Sequence, residues 1–310
     1  MRISGTLIGV ALGLLSSGVP AAEATCLRLP QSRIALQLYS VIRELQPPPE
    51  PGAPRPGLGS TLTVDAGRLD ALLGELHDIG WRNIETVGGN LGIGDAGLKS
   101  ALETHQLQVV AAHESLNQPG WESVLDRARL LGQTFVGSSV FGTPGLDTLD
   151  NVLATAANLN KLGEAAHARG LKFYIHSHRD EFTHQFSYDV KGNGHPQLVT
   201  AWEIVAARTD PRYVSFEIDI HWARLAMGVD RFDDLLKFLR AHRSRVALLH
   251  FKDTAADGRI ADLGRGTTDW RRVLAAAGPQ VQFYIWEFDN PPQPLASAKI
   301  AYNYMTCDSR

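Results

Sequence analysis

Cysteine is nearly absent from this 310-residue sequence, which has only Cys26 and Cys307. So few thiols exclude a cysteine-built zinc module and leave room for at most one disulfide. Neither sign of charge is in excess. The 30 Lys and Arg against 33 Asp and Glu give a formal net charge of −3, which argues against a nucleic-acid or acidic-membrane partner. The apolar stretch from Leu7 to Leu15 is too short and too rich in glycine to span a bilayer. A Gly-rich phosphate turn is also missing. "LYSVIRE" stands where an open, doubly wound nucleotide-binding sheet would carry one after its first strand.

What the N-terminus does have is a cationic Arg2, the Leu7–Leu15 stretch and an Ala22-Glu23-Ala24 triplet. That is the layout of a secretory signal peptide over residues 1–24, leaving Thr25 as the first mature residue. There is no twin arginine, and Glu23 breaks the small-residue motif a lipoprotein would show before Cys26. The expected destination is the periplasm or the medium, with no membrane attachment after cleavage. In such an oxidising compartment Cys26 and Cys307, one near each end of the mature chain, are expected to pair as a disulfide.

Past the leader, short β-rich apolar runs alternate with helical patterns. "IALQLYS" is followed by the proline-rich stretch 46–60, which cannot hold regular structure. Next come Leu69, Leu72, Leu73, Leu76 and Ile79 at helical spacing, with Asp65 as candidate N-cap and Gly80 as the stop. The unit recurs as "WRNIETV", "LQVVAAH", "QTFVGSS", "LKFYIH", "YVSFEID", "VALLH" and "VQFYIWE", each preceding a helical pattern. These predict helices over 121–131, 147–169, 196–207, 231–242, 269–277 and 294–306. Near-continuous apolar strands alternating with helices point to a parallel sheet buried on both faces. Eight units in one chain, with residues 25–310 as a single domain, predict a (β/α)8 TIM barrel.

A barrel carries its chemistry at the C-terminal ends of its strands. Tyr39, Glu85, His113, Glu114, His176, His178, Glu217, Asp219, His250, Lys252, Glu287 and Asp289 all fall there. Of the 11 histidines, His77, His105, His167 and His242 fall on predicted helices and read as solvated surface residues. The other seven fall at strand ends or in the loops after them. A single strand-end histidine is more often a hydrogen-bonded structural residue than a ligand. Strands five to eight, however, all end in imidazole or carboxylate. That mixture suits Mn²⁺, Zn²⁺, Co²⁺ or Fe²⁺ better than Ca²⁺.

The segments "LQLYS", "YIHSHRDEF", "FEIDIHW", "LLHFKD", "LGRGTTDW" and "WEFDNP", in this order, resemble the xylose isomerase-like TIM-barrel family. That family is often labelled sugar phosphate isomerase/epimerase and includes ketose 3-epimerases and inosose dehydratase. The resemblance implies metal ligands His176, Asp219, His250 and Glu287, with His178 an alternative to His176. It implies catalytic roles for Glu287, Glu181 and Lys252, and a pocket lined by Tyr39, His113, His178 and Trp222. The ketose epimerases carry a glutamate where His176 stands, so a symmetric two-base epimerisation is in doubt, and isomerisation or β-elimination stays open.

Three function classes follow. The first is an exported, metal-dependent isomerase, epimerase or lyase acting on a non-phosphorylated carbohydrate. The second is a nuclease, which the net charge and the leader disfavour. The third is an exported carbohydrate-binding protein without chemistry. Which sugar binds, which metal is held, and whether the chain forms a homodimer are not written in the sequence. Neither is any code in loops 46–63, 182–196 and 252–268. "ADLGRGTTDW" reads as a turn and helix start that would suit an anionic group, the plain turn being favoured.

Overall fold

The computed structural model describes residues 26–46, 64–116 and 120–308. The signal-peptide segment and residues 47–60 of the proline-rich stretch lie outside the described residues. Eight parallel strands run β1 (Ile34–Gln37), β2 (Asn83–Thr86), β3 (Gln108–Ala112), β4 (Phe135–Ser138), β5 (Lys172–His176), β6 (Val214–Asp219), β7 (Val246–Phe251) and β8 (Phe283–Trp286). Their hydrogen-bonded order is β3-β2-β1-β8-β7-β6-β5-β4. A parallel bridge between His113 and Gly137 joins β3 to β4, so the sheet returns on itself as a TIM barrel with no free edge.

The helices outside the sheet are α1 (Ala66–Ile79), α2 (Asp95–Thr104), α3 (Trp121–Leu130), α4 (Leu149–His167), α5 (Asp180–Thr183), α6 (Ala201–Arg208), α7 (Ile220–Met227), α8 (Phe232–His242), α9 (Trp270–Ala277) and α10 (Pro294–Thr306). Helix α1 starts and stops where the sequence indicates. Asp65 Oδ1 accepts the Arg68 amide at 3.0 Å, and Gly80 closes the helix at φ 123° with its amide on Leu76 and His77. A side chain at Gly80 would collide with the Tyr302 ring, 2.3 Å away.

Two segments differ from the sequence-based expectation. Helix α6 begins at Ala201 rather than 196, because Gln197–Thr200 pairs antiparallel with Gln185–Tyr188 as a hairpin. Thr200 and Glu203 then form a reciprocal capping box that fixes the helix start. Helix α7 was not expected. It leaves β6 without a loop, and Asp219 at the strand end is itself its N-cap, accepting the Trp222 amide at 2.9 Å.

Packing falls into two shells, as period-two strands require. Outward-facing residues bury Trp81, Trp121, Trp202, Trp270 and Trp286 between sheet and helices. Inward-facing residues Ala35, Phe135, Tyr174, Leu248 and Ile285 fill the lower barrel. Two residues further along their strands stand Gln37, His176, His250 and Glu287, so the same alternation that fills the core delivers polar groups to its mouth. Cys26 and Cys307 form a disulfide with Cα atoms 5.2 Å apart. Beside it the Leu27 and Leu29 amides donate to the Tyr304 and Met305 carbonyls, tying the N-terminal segment to α10.

Candidate functional site

At the barrel mouth His176, Asp219, His250 and Glu287 each offer a ligating atom, and these four atoms lie within 4.8 Å of one another. All four residues are buried. Asp219 is divided by its position. Its Oδ1 caps α7, while the buried Oδ2 makes no hydrogen bond and has only an ion-pair contact, Lys252 Nζ at 3.0 Å. Burial and the neighbouring His250, His178 and His113 push His176 well below the ordinary imidazole range. It is therefore neutral, the form in which imidazole ligates a metal. An orphaned carboxylate oxygen, a neutral imidazole and two further N/O donors make a set that fits a divalent first-row metal.

Lys252 Nζ is 2.8 Å from Glu287 Oε2 and 3.0 Å from Asp289 Oδ2 as well as from Asp219. It lies 5.3 Å from the Trp222 ring centre. Burial disfavours its charge, but Asp219, Glu287 and Asp289 outweigh burial and hold it well above its ordinary value. Glu287 answers in kind: burial would raise it, yet Lys252 and His250 hold it well below the carboxylate range. Asp289, pressed by burial and by Glu287 and Asp219, is raised to about 6 despite Lys252.

A floor of polar residues lies under the ring. Glu217 Oε2 is 2.9 Å from His176 Nδ1, 3.0 Å from His113 Nε2 and 3.1 Å from His250 Nε2. Glu85 Oε2 is 2.7 Å from His250 Nε2 and accepts Gln37 Nε2 at 2.8 Å, and Tyr174 donates its hydroxyl to Glu85 Oε1. His250 Nδ1 faces Glu287 Oε2 at 2.9 Å. Burial alone would discharge His250, but Glu217, Glu287 and Glu85 raise it well above the ordinary imidazole value.

Of the two strand-five histidines, His176 joins the cluster. His178 is half-buried, its ring 4.7 Å from that of His176 and 6.2 Å from Trp222. Glu181 is buried, accepts the His178 amide at 2.8 Å, and is raised to about 7 by burial. It lines a cavity of about 660 Å³ with His113, Glu114, Ser138, Phe141 and His184. Tyr39 is half-buried on the turn after β1, its amide bonded to Gln37.

The structure does not gather every histidine from the strand ends. His221 is buried against Thr254 Oγ1 at 2.9 Å and lowered to about 4 by burial, and His195 is exposed on the hairpin. On the helices only His167 is exposed. His77, His105 and His242 are half-buried, with His77 bonded to the His105 carbonyl and His105 to Asp70. The "LGRGTT" loop does hold an anion, but its own. Asp253 accepts the Gly264, Gly266 and Thr268 amides at 2.9, 3.1 and 3.3 Å, and a Cβ on Gly266 would lie 2.3 Å from its Oδ1. The floor residues Glu85, Glu217, Gln37 and Tyr174 carried no assigned role in the sequence, although acids inside apolar strands marked two of them.

Residues 73–278 match the family model for xylose isomerase-like TIM barrels. The chain belongs to that family. No protein in the curated set matches the sequence. Among solved structures, a sugar phosphate isomerase/epimerase from Parabacteroides distasonis is similar over 92% of this chain and 97% of its own, at 18% identity and TM-score 0.67. A structure of L-ribulose 3-epimerase covers 88% of this chain and 93% of its own, at 15% identity and TM-score 0.59. The probable 3-DHS dehydratase of petrobactin synthesis from Bacillus anthracis covers 87% and 97%, at 12% identity and TM-score 0.57. At these identities the likeness is one of fold. These neighbours bear the names of isomerase, epimerase and dehydratase enzymes on a barrel of the same fold.

Proposed function

We propose that the mature protein is an exported, divalent-metal-dependent enzyme of the isomerase/epimerase type acting on a non-phosphorylated sugar or keto-sugar. The observation that carries this reading is the convergence of His176, Asp219, His250 and Glu287 at the barrel mouth. These four residues would hold the metal, which when bound supplies Lewis acidity to a substrate carbonyl and its neighbouring hydroxyl.

The chain's own residues would do the rest. Lys252, kept charged by three carboxylates, places an ammonium where negative charge develops on substrate oxygen. Glu181, with a carboxyl at about 7, can exchange a proton near neutral pH and faces the cavity. Glu287, held ionised between Lys252 and His250, suits ligation better than proton transfer. With His176 in place of a second acid on strand five, the facing pair of acids that a symmetric two-base epimerisation uses is missing. That favours isomerisation, and supports as a second reading the β-elimination of a keto-glycoside. The non-phosphorylated substrate follows from the proposed export; the cavity beside Glu181 is lined by His113, Glu114, Asp147 and Asp180 among the described residues. The Cys26–Cys307 disulfide agrees with an oxidising compartment.

The test is metal content of the purified mature protein by mass spectrometry, beside Asp219→Ala and His250→Ala, together with a turnover screen of keto-sugars and glycosides. About one equivalent of a transition metal in wild type, lost in both variants, with turnover, supports the enzyme. Metal and binding without turnover favour a carbohydrate-binding protein. A folded wild type that takes up no metal defeats the reading.

A further inference from the structure

Two carboxylates, Glu85 and Glu217, lie fully buried against the candidate ligands His176 and His250. Glu217 Oε2 receives His176 Nδ1, His113 Nε2 and His250 Nε2 at 2.9, 3.0 and 3.1 Å, and Glu85 Oε2 receives His250 Nε2 at 2.7 Å. An ionised carboxylate only accepts, so each of these ring nitrogens must donate a proton. For His176 this assigns the proton to Nδ1 and leaves the Nε2 lone pair free. For His250 it places one proton at Nε2, and the other nitrogen, Nδ1, faces Glu287 at 2.9 Å and would become the ligating atom once a bound cation displaces the proton shared there. His113 donates from Nε2 to the same oxygen while its Nδ1 lies 3.3 Å from Gln37 Nε2, a donor.

We propose that Glu217 and Glu85 are positioning residues: they hold opposite ring nitrogens as donors, Nδ1 of His176 and Nε2 of His250, so that each histidine turns its other nitrogen to the one cation site it shares with Asp219 and Glu287. The proposal rests on the metal reading above. The physical reason for two acids is that the two histidines reach the site from neighbouring strands with their rings presented differently. His176 turns Nδ1 to the floor and His250 turns Nε2. Left unpaired, each ring would distribute its proton between both nitrogens and offer the correct one only part of the time. Carboxylates behind metal-bound histidines do this in general, and removing one weakens metal binding about 10- to 100-fold. His113, His176, Glu217 and His250 also form a compact quartet of ligating atoms, but three ring nitrogens already converge on Glu217 Oε2 there, which leaves only its buried Oε1 without a hydrogen bond. The floor is therefore a hydrogen-bonded support, and metal sits above it.

The experiment has two arms on the full mature chain. Competitive Zn²⁺ titration against a chelator compares wild type, Glu217→Gln, Glu85→Gln, His113→Asn and Asp219→Asn, with thermal unfolding run alongside. Nitrogen-15 NMR of the imidazoles reads tautomers in the metal-free protein. Expected are one Zn²⁺ per chain, affinity 10- to 100-fold weaker in Glu217→Gln with the fold kept, and only a few-fold change in His113→Asn. The NMR is expected to show His176 protonated at Nδ1, a state that a merely space-filling Glu217 would not impose. Zn²⁺ affinity unchanged in Glu217→Gln but lost in Asp219→Asn overturns the positioning role and keeps the metal reading. A second equivalent, or loss of Zn²⁺ in His113→Asn, overturns it in favour of an inner metal. If wild type binds no Zn²⁺ the metal reading falls, and the tautomers alone decide: His176 protonated at Nε2 overturns the inference.

Discussion

Removing the Lys252 ammonium is the sharpest perturbation of this site, because no water-exposed group can take its place. Lys252 is 1% exposed and lies within about 3 Å of three carboxylates. At an effective dielectric of about 20, a contact at about 3 Å gives roughly 5 kcal/mol of attraction, and desolvation of the ammonium removes several kcal/mol of the total. Asp289, raised to about 6 and partly exposed, contributes least. Breaking a buried pair from one side costs about 3–5 kcal/mol, most of it from the charges left behind. Lys252→Met keeps the length and removes the charge. At about 2–4 °C per kcal/mol for a large domain, its unfolding midpoint should fall by about 6–20 °C at pH 8 in chelator. Two additions should shrink the deficit: a divalent metal, which restores positive charge between Asp219 and Glu287, and acid, which protonates Asp289, a carboxyl pushed up further once Lys252 no longer lowers it. The assay is thermal unfolding by circular dichroism. A variant within about 1 kcal/mol of wild type at pH 8 in chelator would refute the charge balance described here.

Glu181 gives a pH prediction of definite sign. Its carboxyl titrates at about 7 in the fold against 4.5 ordinarily, so the unfolded chain ionises first and stability is lost as pH rises between those values. Glu181→Gln should therefore gain on wild type by up to about 3 kcal/mol above pH 7 and by little below pH 5, read as unfolding midpoints at the two pH values. Reducing Cys26–Cys307, which closes a 281-residue separation, should lower stability by about 2–5 kcal/mol, measured by unfolding with and without reductant; no change would show that the terminal segment already docks firmly. Gly137→Ala would place a Cβ 2.1 Å from the Tyr174 carbonyl oxygen inside the barrel, costing at least about 1–3 kcal/mol and disturbing the Tyr174–Glu85 hydrogen bond. A soluble variant as stable as wild type would contradict that packing.

Most of the barrel was legible because its signals are local. Asp65 and Gly80 bracket α1 in sequence as they do in space. The apolar strands found their places to within a few residues, since burial on both faces leaves a continuous run. Helix α7 escaped because its N-cap, Asp219, also reads as a strand-end ligand, and one residue doing both removes the loop that usually separates the elements. The start of α6 was misplaced because the strand Gln197–Thr200 runs into the helix with no Gly or Pro between them, although the Thr200–Glu203 capping-box pattern marks the boundary.

The sequence by itself determined that imidazole and carboxylate side chains stand at the ends of strands five to eight, because period-two alternation carries side chains inward wherever a strand is buried on both faces. It named His176, Asp219, His250, Glu287 and Lys252 on that ground together with family resemblance. Only the tertiary structure decided which atoms meet. That His176 rather than His178 joins the ring, that Lys252 is clasped by three acids, and that Glu85 and Glu217 stand beneath the histidines depend on strand stagger and ring orientation. So does the fact that the glycine loop's anion is Asp253. These are properties of a closed sheet, in which residues more than a hundred positions apart come within hydrogen-bond distance, and no local pattern along the chain records them.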